Sequence, residues 1–128
     1  MAYLRGATVK VVLDTNIWIS GLLWGGLAGK VLKLAELNQI KIIGSNNLVN
    51  EIYQTLQYPK LQSRLQFLGE TPEILLEKVK FLVRICSITI SLEVPQLGDP
   101  NDVFILEIAI CGNAKLIVTG DNNLLTLK

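Results

Sequence analysis

The chain opens on a short apolar run, Val9–Leu13, rich in Val and cut off sharply at Asp14. That is the pattern of a strand buried on both faces. Asp14-Thr15-Asn16 then supplies capping chemistry for a short helix over Ile17–Leu23, and Trp24-Gly25-Gly26 breaks it. Leu27, Val31, Leu34, Ala35 and Leu37 recur at helical spacing and predict a second helix ending near Asn38. Ile40–Ile43 predicts a second strand, followed by Gly44 and the cap residue Ser45. Leu48, Val49, Ile52, Tyr53 and Leu56 mark the buried face of the next helix, which Pro59 stops. Leu61–Leu68 reads as a short helix, and Thr71-Pro72 opens another that reaches about Arg84. Ile85–Leu92 favours β-branched residues and predicts the third strand. Asp99-Pro100 starts a helix over Val103–Cys111 that ends at Gly112, Leu116–Thr119 is the fourth strand, and Asn122–Leu127 begins a last helical turn.

Strands alternating with helices at this spacing predict an α/β fold. Its core is a small parallel, doubly wound sheet of about four strands covered by helices. The 128 residues show no internal repeat and no linker composition, so the whole chain, 1–128, reads as one domain. Half of the residues are apolar, which excludes intrinsic disorder. The longest uncharged stretch, Thr15–Gly29, is interrupted by Asn16, Ser20, Gly21, Gly25 and Gly26 and falls short of the about 20 apolar residues of a membrane span. No signal peptide is visible, and the protein is expected in the cytoplasm.

Charge and composition then narrow the chemistry. Twelve Lys and Arg balance eleven Asp and Glu, so any polyanion must be bound by local geometry or through metal ions. There is no histidine, which removes His-based general bases, Ser-His-Asp and Cys-His catalysis and His-ligated zinc together. Cys86 and Cys111 lie in apolar surroundings and read as buried free thiols. The glycines at 21, 25, 26 and 29 are not followed by the Gly-Lys-Ser/Thr of a phosphate loop.

Carboxylates remain, and their placement is informative. Val11-Val12-Leu13-Asp14 and Ile117-Val118-Thr119-Gly120-Asp121 each drive an apolar strand into an acid. In a parallel sheet both acids arrive at the carboxyl edge, where such folds bind ligands. Asp99 and Asp102 stand at the start of a helix entered from that edge, and Glu51 follows Ser45 by six residues on a helix leaving it. Each acid alone is also explained as a helix cap, a dipole partner or a solvated helix residue. As a group they are not. Two carboxylates about 5 Å apart repel by about 3 kcal/mol at an effective dielectric of about 20, against a total stability of about 5–15 kcal/mol. A cluster of four implies protonation or a bound hard cation. Oxygen ligands suit Mg²⁺ or Mn²⁺, and such a site activates water against a phosphodiester.

These residues resemble the PIN-domain family of ribonucleases, in particular its bacterial toxin-antitoxin branch of VapC-like toxins. The resemblance rests on Val-Leu-Asp14-Thr-Asn16, on Ser45 followed by Glu51, on Asp99-Pro-Asn-Asp102 leading into Ile105 and Ala109, and on Val118-Thr119-Gly-Asp121-Asn-Asn-Leu-Leu, in that order along nearly the whole chain. It implies a Mg²⁺- or Mn²⁺-dependent endoribonuclease with Asp14, Glu51, Asp102 and Asp121 as catalytic and metal-holding acids. Asn16, Asp99 and Thr119 would support them through hydrogen bonds. It also implies an RNA substrate, a homodimer and a cognate antitoxin that blocks the site. Two departures stand out. Position 101 is Asn where relatives often carry another Asp, and the chain ends at Lys128, so the family's usual closing strand is expected to be missing. A receiver-like signalling domain and a catalytically silent PIN-fold interaction module are the alternatives; the first lacks a Lys after a late strand, since Lys115 precedes its strand. Trp18, Leu22, Leu23 and Trp24 are expected at an exposed apolar surface used for association.

Overall fold

The computed structural model describes residues 9–87, 100–118 and 124–126, and for 100–104 and 124–126 the backbone alone. Five strands form one sheet in the order β3-β2-β1-β4-β5. They are β1 (Val9–Leu13), β2 (Ile40–Gly44), β3 (Val83–Ile85), β4 (Leu116–Val118) and β5 (Leu124–Thr126). The first four are parallel, as expected, and β5 pairs antiparallel with β4 through Val118↔Leu124 and Leu116↔Thr126. The helices are α1 (Thr15–Leu23), α2 (Gly26–Glu36), α3 (Asn46–Leu56), α4 (Gln62–Leu68), α5 (Pro72–Leu82) and α6 (Pro100–Cys111), with a 3-10 turn at Pro59–Leu61 ahead of α4.

β1 is the central strand because Val11, Val12 and Leu13 can be buried from both sides at once. Capping follows the sequence closely. Asp14, Ser45 and Thr71 each accept from the backbone N–H three residues on, at 2.9, 3.1 and 3.2 Å, and so open α1, α3 and α5. The crossovers β1–β2 and β2–β3 advance in one direction, and α1, α2, α3 and α5 pack on one another along them. The β3–β4 crossover runs back across the sheet, and its helix, α6, packs on β1, β2 and β4. Right-handed crossovers in opposite directions put their helices on opposite faces. The reversal falls between β1 and β4, which makes their carboxyl ends the switch point of the sheet.

Several expectations need correction. The third strand starts two residues early and directly continues α5, because buried Val83 pairs with Ile42 of β2; residues 88–92 lie outside the described residues. Leu124–Thr126 is a strand rather than a helical turn, its pairing with β4 outweighing local pattern. Trp18 and Leu23 are wholly inside the core and Leu22 is half-buried, so of the expected apolar surface only Trp24, 54% exposed, lies outside. α1 is packed against α2, α3, α4 and β1, and a helix covered on several sides is apolar nearly all round. Cys86 and Cys111 are joined in a disulfide rather than free, with Cα atoms 6.3 Å apart. Among the described residues, no single helix is long and apolar enough to cross a membrane.

Candidate active site

Asp14 occupies the switch point. Its backbone N–H donates to the carbonyl of Val118, the last residue of β4, at 3.1 Å, which continues the β1–β4 pairing one residue past the end of β1. Its extended backbone (φ −74°, ψ 171°) then turns the chain into α1, and its Oδ1 accepts from the Ile17 N–H. The carboxylate is therefore held in one orientation, half-buried, at the N-terminal end of a helix whose dipole favours negative charge.

Glu51 reaches the same place from another element. It sits in the second turn of α3, which leaves the carboxyl end of β2 and packs beside α1. The Thr15 hydroxyl donates to Glu51 Oε1. Since Thr15 follows Asp14 directly, this bond places the two acids on neighbouring parts of one half-buried edge. The Glu51 carbonyl also accepts from the Thr55 hydroxyl at 2.9 Å within α3. Thr15 was not among the expected site residues. Its signal in the sequence was confined to the cap motif, because its contact with Glu51 depends on how α1 and α3 cross.

The remaining acids are described to different depths. Asp102 is in the first turn of α6, entered from the carboxyl edge, and its side chain is outside the described residues. Asp99, Thr119 and Asp121 lie outside the described residues altogether, although Thr119 directly follows Val118, the residue bonded to Asp14. Asn16 is exposed on the first turn of α1. Among the described residues there is no group of three or more acids or thiols able to hold a metal ion, which leaves the Asp14–Glu51 pair as the described part of the site.

Three ion pairs lie away from the site: Lys33 and Lys78 on Glu36, and Lys80 on Glu77, all at 3.7–3.8 Å. Glu51 takes part in none of them. Its partner among the described residues is a neutral hydroxyl, which orients the carboxylate. Carboxylate and hydroxyl oxygens of this kind fit a hard divalent cation such as Mg²⁺ or Mn²⁺, and with no His in the chain and both thiols in a disulfide they do not fit a soft one.

Comparison with known proteins agrees with the geometry. A family model described as PIN domain matches residues 10–123. The chain is also 31% identical over 126 residues to the uncharacterized protein MJ1680 of Methanocaldococcus jannaschii, across 94% of this chain and 76% of that one. No solved structure matches it. This chain belongs to the PIN domain family. The receiver-like alternative is thereby set aside. PIN domains have a nuclease-type fold, are generally hydrolases and typically use divalent metals.

Proposed function

We propose that this protein is a Mg²⁺- or Mn²⁺-dependent endoribonuclease, with Asp14, Glu51, Asp102 and Asp121 as its acidic set and RNA as its substrate. The observation that carries the reading is the meeting at the sheet's switch point. Asp14 is fixed there by β4 and by its own helix, and Glu51 is brought in by Thr15. A divalent ion at such a site supplies an activated water and stabilises the leaving oxygen of a phosphodiester. The protein's own part is positional. Asp14 presents a carboxylate that its cap bond has already oriented, so little rotamer freedom is lost when a ligand binds. Thr15 restrains the Glu51 carboxylate beside Asp14 through its hydroxyl bond. Asp102 and Asp121 complete the acidic set, with Asn16, Asp99 and Thr119 supporting it through hydrogen bonds to acids, water or phosphate.

The finer reading follows the resemblance to VapC-like toxins: a homodimeric toxin in the cytoplasm, held inactive by a cognate antitoxin that covers the acidic edge. Cleavage of a mixed RNA pool tests the activity. Wild type should cut with Mg²⁺ or Mn²⁺ and not in EDTA, and Asp14→Asn should not cut under any of the three conditions. An uncut pool in every condition would favour the silent interaction module.

A further inference from the structure

α3 is held from two sides. On one flank Thr15 bonds Glu51; on the other the Tyr53 hydroxyl donates to Glu73 Oε2 of α5 at 2.9 Å. Successive helical residues turn by about 100°, so Asn46, Asn50 and Tyr53 share one stripe while Asn47 and Glu51 share the next. Where the first two turns of α3 face the later turns of α5, an open groove of about 370 Å³ remains. Asn46, Asn47, Asn50 and Tyr53 line it from α3, and Leu76 and Lys80 from α5. The volume is at the small end of ligand pockets.

The lining chemistry is specific. Each Asn side chain offers a carbonyl acceptor and two N–H donors, so the three together match the mixed donor and acceptor edge of a nucleobase. All three are exposed, so they reach a ligand without repacking. Tyr53 adds an aromatic ring whose hydroxyl is anchored, and unstacked RNA bases are read by this combination of ring faces and amide edges. Among the described lining residues the cation is Lys80, whose pairing with Glu77 at 3.8 Å is between two exposed side chains and contributes little. Among the described lining residues, one lysine and no carboxylate suit one phosphate of a single strand.

We infer that the groove seats an unstacked base of single-stranded RNA close to the scissile phosphate. Asn46, Asn47 and Asn50 read its edge, Tyr53 packs on its ring and Lys80 meets its phosphate. The inference rests on the nuclease reading above. Glu51 lies one helical turn, about 5.4 Å, beyond Asn47 on the same stripe of α3, so the groove adjoins the acidic edge.

Two measurements on the same variants test it. The first is anisotropy of fluorescein-labelled 12-mer RNAs (oligo-A, -C and -U) in EDTA. The second is the KM and cut-site pattern of RNA cleavage with Mn²⁺. The paired variant Asn47→Ala/Asn50→Ala should weaken binding and raise KM by about tenfold, with kcat within about twofold, and should flatten the preference among bases. Lys80→Ala should weaken all three RNAs alike and lower the salt dependence. Lys33→Ala, on the outer face of α2, is the control and should bind as wild type. The substituted residues are exposed, so these variants should fold, and their melting curves check that. Wild-type affinity and cut pattern in the Asn and Lys80 variants would overturn the groove even if cleavage is intact. If wild type cuts nothing but binds RNA in an Asn-dependent way, the groove stands and the nuclease reading falls. Equal, Asn-dependent binding of DNA 12-mers would overturn the assignment to RNA.

Discussion

Asp14 carries two separable tasks, and a pair of substitutions divides them. As a helix cap, its Oδ1 satisfies the Ile17 N–H at 2.9 Å in a half-buried setting. Asp14→Ala removes that acceptor, at a cost of about 1 kcal/mol. With an unfolding entropy of about 2.1 cal/mol/K per residue, 1 kcal/mol in this 128-residue chain lowers the melting temperature by about 4 °C. Asp14→Asn keeps the cap, since Asn ranks with Asp at that position. It gives up the favourable charge at the helix N-terminus, worth about 0.3–1 kcal/mol, and relieves repulsion from neighbouring acids. These opposing effects should leave the Asn variant within about 2 °C of wild type in EDTA. Adding Mg²⁺ or Mn²⁺ at ten times its dissociation constant should stabilise wild type by about 1.4 kcal/mol and neither variant by as much. Calorimetric melts with and without metal, run beside the RNA cleavage assay, give every quantity. An Asn variant that melts as low as the Ala variant would refute the cap argument. One that still cleaves RNA would refute the catalytic assignment.

Other consequences are as direct. The Cys86–Cys111 bond spans 25 residues of sequence, so on the loop-entropy account its reduction should cost about 3.5 kcal/mol, or roughly 13 °C in melting temperature; an unchanged melt on adding reductant would mean that the thiols are not joined in solution. A Cβ at Gly112 would sit 2.3 Å from Cγ2 of the buried Ile43, so Gly112→Ala should lower stability by about 1–3 kcal/mol in urea unfolding, and a neutral result would contradict the close approach of α6 to β2. Tyr53 should titrate above the usual tyrosine value because its hydroxyl donates to Glu73 and would lose that bond, and meet a second negative charge, on ionising. The protonated form is the one favoured in the folded state, so this contribution is present below the ordinary tyrosine pKa and is lost as pH rises through the raised one. Ultraviolet titration of Tyr53 against Glu73→Gln checks the direction, and an unchanged midpoint in the variant would count against the bond.

Much of the architecture was legible because the signals were local. An apolar run ending in Asp14, the caps at Ser45 and Thr71, and Pro72 at a helix start each act within a few residues, and each element formed where its pattern put it. Long-range packing decided what was missed. Gly112 reads as a helix stop and the helix does end before it, but the left-handed residue is Asn113 (φ 57°), and at Gly112 Ile43 leaves no room for a Cβ. Trp18 and Leu23 read as candidates for an outer surface because nothing in a short apolar helix reveals how many neighbours will cover it. The site divides in the same way. Asp14 follows from the strand that ends on it, whereas the tie from Thr15 to Glu51 depends on the crossing of two helices thirty-odd residues apart in sequence.

The central claim is that four acids from four parts of the chain form one metal site. Mn²⁺ binding, followed by water-proton relaxation in the absence of RNA, tests this without relying on catalysis. Wild type should bind with one dissociation constant for the site, and Asp14→Asn, Glu51→Gln, Asp102→Asn and Asp121→Asn should each weaken it by at least about tenfold, since affinity for a hard cation follows the number of charged oxygen ligands. Wild-type Mn²⁺ affinity in Glu51→Gln or Asp121→Asn would mean that the acids do not converge, and the account of this edge as a metal-dependent nuclease site would be contradicted.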